Sequence, residues 1–135
     1  MGSEELLWLE FAKTDLGVAE HLYSQYYPRP LEIICYHCQQ AAEKAIKAVI
    51  WSYGAQGGMP KKHNLSFLLQ QMCNMVVVEE KYYDYADVLT PYGIAVRYPN
   101  ELFLEDRNAE DAIYYAREIV QWAEQVISRK ADESQ

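Results

Sequence analysis

The chain has 135 residues, half of them apolar, which is enough to bury a core as a single domain and too much for a disordered segment. Its net charge of −8 argues against a broad duplex-binding face. No apolar run approaches the roughly 18 residues needed to cross a bilayer. Met1–Glu5 carries neither a basic nor a long apolar stretch, so no signal peptide or membrane partner is expected. With only three cysteines, the sequence reads as a cytoplasmic protein with reduced thiols.

Taken in chain order, the sequence predicts helices throughout. Residues 4–26 form the first, with Ser3 as N-cap, acids in the first turn, and Leu7, Phe11, Val18, Leu22 and Tyr26 recurring at helical spacing. Tyr27-Pro28-Arg29-Pro30 stops it, because two close prolines cannot continue a helix and the second can open the next. The second helix, about 31–53, is Ala-rich and apolar on most sides, which makes it the central element of a bundle. Residues 54–60 read as a loop, and Asn64 as the N-cap of a third helix carrying Leu65, Leu68, Leu69 and Met72. Val76-Val77-Val78 is β-branched but too short and isolated to suggest a sheet. A fourth helical stretch over 79–98 breaks at Thr90-Pro91. Residues 99–107 read as a loop, Asn108 as a cap, and a fifth helix runs to about Lys130 with Ala112, Ala116, Ile119, Val120, Ala123 and Ile127 on one side. Residues 131–135 should fray. The expected fold is all-α, an up-and-down bundle of four to five helices in one domain spanning 1–135.

Charge is unevenly spread. Residues 1–32 carry six acids and two bases, and residues 79–135 thirteen acids and six bases, while residues 33–78 set Glu43 against four lysines. A basic middle inside an acidic shell fits a local phosphate site. The richest segment is Cys35-Tyr36-His37-Cys38-Gln39-Gln40-Ala41-Ala42-Glu43-Lys44-Ala45-Ile46-Lys47. At about 100° per residue, His37, Gln40, Lys44 and Lys47 fall in one stripe beside the packing stripe Ile34, Cys38, Ala41, Ala45 and Val49. That donor line could hold an anion or line an interface. Cys35-x-His37-Cys38 makes a poor zinc site, because adjacent ligands on a helix diverge and no second ligand pair exists. No strained turn presents either sulfur as a nucleophile, and Gly57-Gly58 lacks the context of a phosphate loop. No metal or cofactor is therefore expected. Lys61-Lys62-His63 precedes the third helix, where backbone N–H groups could receive a phosphate, and Arg97-Tyr98 closes the fourth stretch with a guanidinium able to fork onto one.

In this order, Ala12–Ala19, Cys35–Ala45, Lys62-His63-Asn64-Leu65, Ala95-Val96-Arg97-Tyr98-Pro99 and the Asp111-Ala112 helix resemble the HEPN domain family (higher eukaryotes and prokaryotes nucleotide-binding) over nearly the whole chain. The resemblance implies a helical bundle, a homodimer, and frequent pairing with a minimal nucleotidyltransferase. It also implies that many members are metal-independent ribonucleases, some of them toxins of toxin–antitoxin pairs. Their motif is an Arg followed, after four to six intervening residues, by a His. Arg97 fits the first position, but the second falls on Leu102, Phe103 and Leu104, which can carry no proton. The expected function is therefore a degenerate nucleotide- or RNA-binding and partner-binding module. An active ribonuclease and a pure dimerisation module stand as alternatives. The residues expected to meet nucleotide or phosphate are His37, Gln40, Lys44, Lys47, His63, Arg97 and Tyr98.

Overall fold

The computed structural model describes residues 4–54, 64–95 and 103–133. Among these the chain is all-α, with no strand. The helices are α1 (Glu4–Gln25), α2 (Leu31–Ser52), α3 (Leu65–Gln70), α4 (Glu80–Leu89), α5 (Tyr92–Ala95) and α6 (Asp106–Glu133). None is long and apolar enough to cross a membrane.

Breakers and caps fall largely where the sequence puts them. Arg29 locks the α1–α2 turn: its Nε donates to the Tyr23 carbonyl at 2.7 Å and its Nη1 to Asp106 Oδ2 at 3.0 Å. Its guanidinium lies over the Tyr23 and Tyr27 rings, so the turn is clamped to the start of α6. Gly54, at φ +73°, ends α2 and donates its N–H to the Trp51 carbonyl, a left-handed cap that glycine adopts without strain. Asn64 caps α3 by accepting from the Phe67 N–H at 3.0 Å. Thr90 ends α4, where its hydroxyl donates to the Ala86 carbonyl at 2.8 Å and accepts from the Leu65 N–H at 3.1 Å. The break at Thr90-Pro91 thus joins the α3 start to the α4 end.

Both boundaries of α6 differ from expectation. The helix runs to Glu133, past the expected end at about Lys130, and it begins at Asp106, two residues before Asn108. The Asn108 side chain reaches back and accepts from the Glu105 N–H at 2.9 Å, so it serves from the third helical position instead of the cap.

α2 is the hub: it packs against α1, α6, α3, α4 and α5. Thirteen of its residues are buried, and small side chains line its seams with α1 and α6. Ala12 and Ala19 of α1, Ala41, Ala42, Ala45 and Ala48 of α2, and Ala112, Ala116 and Ala123 of α6 are all fully buried. Such residues let helices approach closely, and the larger Ile34, Ile46, Val49 and Ile119 fill the space between. α1 turns a different face inward than its large apolar residues suggest. Leu9, Ala12, Asp15, Leu16 and Ala19 are buried, whereas Leu7, Phe11, Val18 and Tyr26 are exposed and Leu22 only partly covered. Leu9 and Leu16 alternate with Ala12, Asp15 and Ala19 on that face, so a stripe of mixed size packs inward while a neighbouring stripe of large apolar residues stays outside.

Candidate functional site

The inward face of α1 carries one acid, Asp15, and it meets the polar stripe of α2. Its Oδ1 lies 2.9 Å from His37 Nδ1, and its Oδ2 accepts from Lys44 Nζ at 2.6 Å. Seven residues separate His37 from Lys44, two helical turns, so one carboxylate on the facing helix bridges both. The bond to Asp15 fixes the imidazole through Nδ1 and turns Nε2 away from the carboxylate. His37 and Lys44 keep about a quarter of their side chains exposed, and an ammonium has three protons. This groove can therefore still donate to an anion while Asp15 compensates its charge.

Deeper along α2 the network closes. Lys47 Nζ donates to Glu43 Oε2 at 2.9 Å, Gln39 Nε2 to Glu43 Oε1 at 3.0 Å, and Gln40 Nε2 to Gln39 Oε1 at 2.7 Å. Gln39 is fully buried, Glu43 5% exposed and Lys47 9% exposed, and the Lys47 ammonium sits 5.6 Å from the Trp8 ring centre. Two desolvated charges persist here because each answers the other and amides fill the remaining lone pair. The Gln39 amide in turn abuts α5: a Cβ added at Gly93 would lie 2.8 Å from its Cδ. Glycine at that position lets α5 dock onto the polar network, about one helical turn of sequence ahead of Arg97.

The sulfurs belong to the core. Cys35 and Cys38 are buried, and Cys73 is exposed. Burial pushes the Cys35 thiol up to about 12 and the Cys38 thiol higher still, so both are neutral thiols at neutral pH. Tyr92, wedged near them from α5, is raised to about 12 mainly by burial.

Of the residues expected to meet phosphate, the structure brings His37 and Lys44 together on Asp15, and Gln40 and Lys47 into the Gln39–Glu43 network. His63, Arg97 and Tyr98, with Lys61 and Lys62, lie outside the described residues. Asp15 and Glu43 are the members that a search for donors passes over. The signals were there: Asp15 is a single acid among Ala12, Leu16 and Ala19, and Glu43 stands four residues before Lys47, a favourable pairing on a helix. In the segment where a motif histidine would fall, Phe103 is 96% exposed and Leu104 packs partly against the core.

The fold and sequence have clear relatives. TT1696 from Thermus thermophilus is 27% identical, superposes with a TM-score of 0.78, and aligns over 93% of this chain and 99% of its own. ST0689, an archaeal HEPN homologue, is 25% identical with a TM-score of 0.70 over 93% of this chain and 99% of its own. An HEPN domain protein from Thermotoga maritima is 26% identical with a TM-score of 0.71, covering 90% and 98%. No curated protein matches the chain. The HEPN domain family model matches residues 6–126, almost the full length of the bundle, and the chain therefore belongs to the HEPN domain family.

Proposed function

We propose that this HEPN domain is a nucleotide- or RNA-binding and partner-binding module that has lost the family's ribonuclease step. The observation that carries this reading is Leu102-Phe103-Leu104 in the place of the motif histidine after Arg97. An apolar side chain can hold a nucleobase or cover a surface, but it cannot shuttle a proton. The α1–α2 groove supports the binding half. The remaining Lys44 protons offer donors beside a compensated carboxylate, with His37 Nε2 turned away from it, and α5 of the same network precedes Arg97 in the sequence. The binding set is His37, Gln40, Lys44, His63, Arg97 and Tyr98, with Asp15 positioning His37 and Lys44, while Lys47, expected from the sequence to join them, is buried against Glu43. A homodimer and a nucleotidyltransferase partner are part of this reading. The exposed Leu7, Phe11 and Val18 of α1, apolar side chains left outside the bundle, favour a second copy packing there.

The test is a titration of the purified chain with a labelled single-stranded RNA and with a nucleoside triphosphate. Lys44→Gln and Arg97→Ala are each expected to weaken binding about tenfold, the scale of a lost charge-assisted phosphate contact. Wild-type affinity in both variants for both ligands would remove the site.

A second reading has one specific observation in its favour. Asp15 orients His37 as a carboxylate orients a general base, so an active ribonuclease of a toxin–antitoxin pair would use His37 in place of the missing residue. Metal-independent RNA cleavage abolished by His37→Ala would select it.

A further inference from the structure

Several cations of the described residues form ion pairs within the chain. Lys13 pairs with Glu124, Arg29 with Asp106, Lys44 with Asp15, Lys47 with Glu43 and Arg117 with Glu20. On one face the carboxylates form no ion pair among the described residues. On α4, Asp84, Tyr85 and Val88 fall on one side of the helix; on α6, Asp111, Tyr114, Tyr115 and Glu118 do the same. Asp84 and Asp111 are exposed and Glu118 is half-buried, and none of the three has an ion-pair partner among the described residues. Two cations flank this face: Lys81, one turn before Asp84, has its ammonium 5.2 Å from the Tyr82 ring centre, and Arg107 stands one turn before Asp111 on α6.

Between these acids lies an aromatic surface. Tyr85 stacks on Tyr115 at 4.5 Å with 16° between the rings, and Tyr114 meets both edge-on at 6.1 and 5.8 Å. The cluster continues through Tyr82 to Trp122. Tyr82 and Trp122 are buried and belong to the core, but Tyr114 is 48% exposed. Glu118 lies within electrostatic reach of Tyr82 and Tyr85, so ring and carboxylate share one surface.

The chemistry selects the occupant. Phosphates of a nucleic acid would meet carboxylates that form no ion pair, and the same face of a second copy would set acid against acid. A guanidinium answers both features, since it stacks on an aromatic face and forks onto a carboxylate. We infer that the α4–α6 face formed by Asp84, Tyr85, Asp111, Tyr114 and Glu118 is a docking surface for an arginine-rich segment of a partner protein. This deepens the partner-binding part of the function proposed above and uses none of the groove residues.

The experiment is a titration of the full chain, at about 150 mM salt where long-range attraction is screened, with nona-arginine and nona-lysine peptides. Amide NMR shifts locate the binding and calorimetry gives the affinity. Shifts confined to α4 and α6 are expected, with nona-arginine bound about fivefold more tightly than nona-lysine. Tyr114→Leu and Glu118→Gln should each weaken it about fivefold. The double variant Glu4→Gln/Glu5→Gln removes more charge from a different place and should change nothing. Equal affinity for the two peptides, an equal loss in the Glu4/Glu5 control, or shifts elsewhere would overturn the proposal, as would a single-stranded RNA shifting the same amides. Lys44→Gln and Arg97→Ala should leave peptide binding intact, so failure of the nucleotide site and failure of this face are separate results.

Discussion

Glu43 and Lys47 show how a residue pair can be both a local helical contact and a buried commitment. On an exposed helix such a pair contributes a few tenths of a kcal/mol. Here both side chains are nearly inaccessible, so removing one leaves the other desolvated and unanswered. Glu43→Leu should destabilise the fold by about 3–5 kcal/mol, and the double change Glu43→Leu/Lys47→Met should cost clearly less than that single, because no orphan charge remains. Urea unfolding of the two variants checks this; equal losses would mean the pair is better solvated than its geometry indicates. Gly93 makes a second residue-scale claim. The Gln39 amide is held by two hydrogen bonds and cannot swing aside freely, so Gly93→Ala should cost about 1–3 kcal/mol through overpacking. A neutral change in thermal unfolding would show that α5 can lift off the network without penalty.

At the scale of the element, legibility followed the strength of the local signal. Pro28 and Pro30, Gly54, Asn64 and Thr90-Pro91 each act within one turn of chain, and the boundaries they announce are found there. The start of α6 differs from the sequence reading because Asn108 can serve a helix start from two positions, and only the Glu105 N–H tells which. The inward face of α1 was not legible, since two neighbouring stripes both carry apolar residues, and the buried one, with Leu9 and Leu16, also holds the charged Asp15. The acids of the site were hidden for a related reason. Asp15 acquires its role only from the antiparallel register that sets it opposite His37 and Lys44.

α2 also predicts its own chemistry. Cys35 is protonated in the fold up to about pH 12 but ionises near 9 when unfolded, so its contribution is fully present below pH 9 and is lost as pH rises toward 12. Cys38 and Tyr92, raised for the same cause, push in the same direction. Stability should fall over that alkaline window, and Cys35→Ser should flatten the fall in pH-dependent denaturation curves. A thiol reagent at pH 8 should meet one fast thiol per chain, Cys73, with the other two appearing only on unfolding. Three fast equivalents would contradict the packing of α2.

For the whole molecule, the bundle and the family were readable because a small-residue central helix and the Arg97-Tyr98-Pro99 step are unusual together. Activity was less readable, since it turns on a single proton carrier that the sequence withholds after Arg97 while the fold orients His37 elsewhere. The most direct measurement is cleavage of single-stranded RNA by purified protein in EDTA, with Arg97→Ala prepared identically. The binding-module account predicts no cleavage above the Arg97→Ala background. Cleavage by the wild type that disappears in Arg97→Ala would contradict it and make the domain an active ribonuclease.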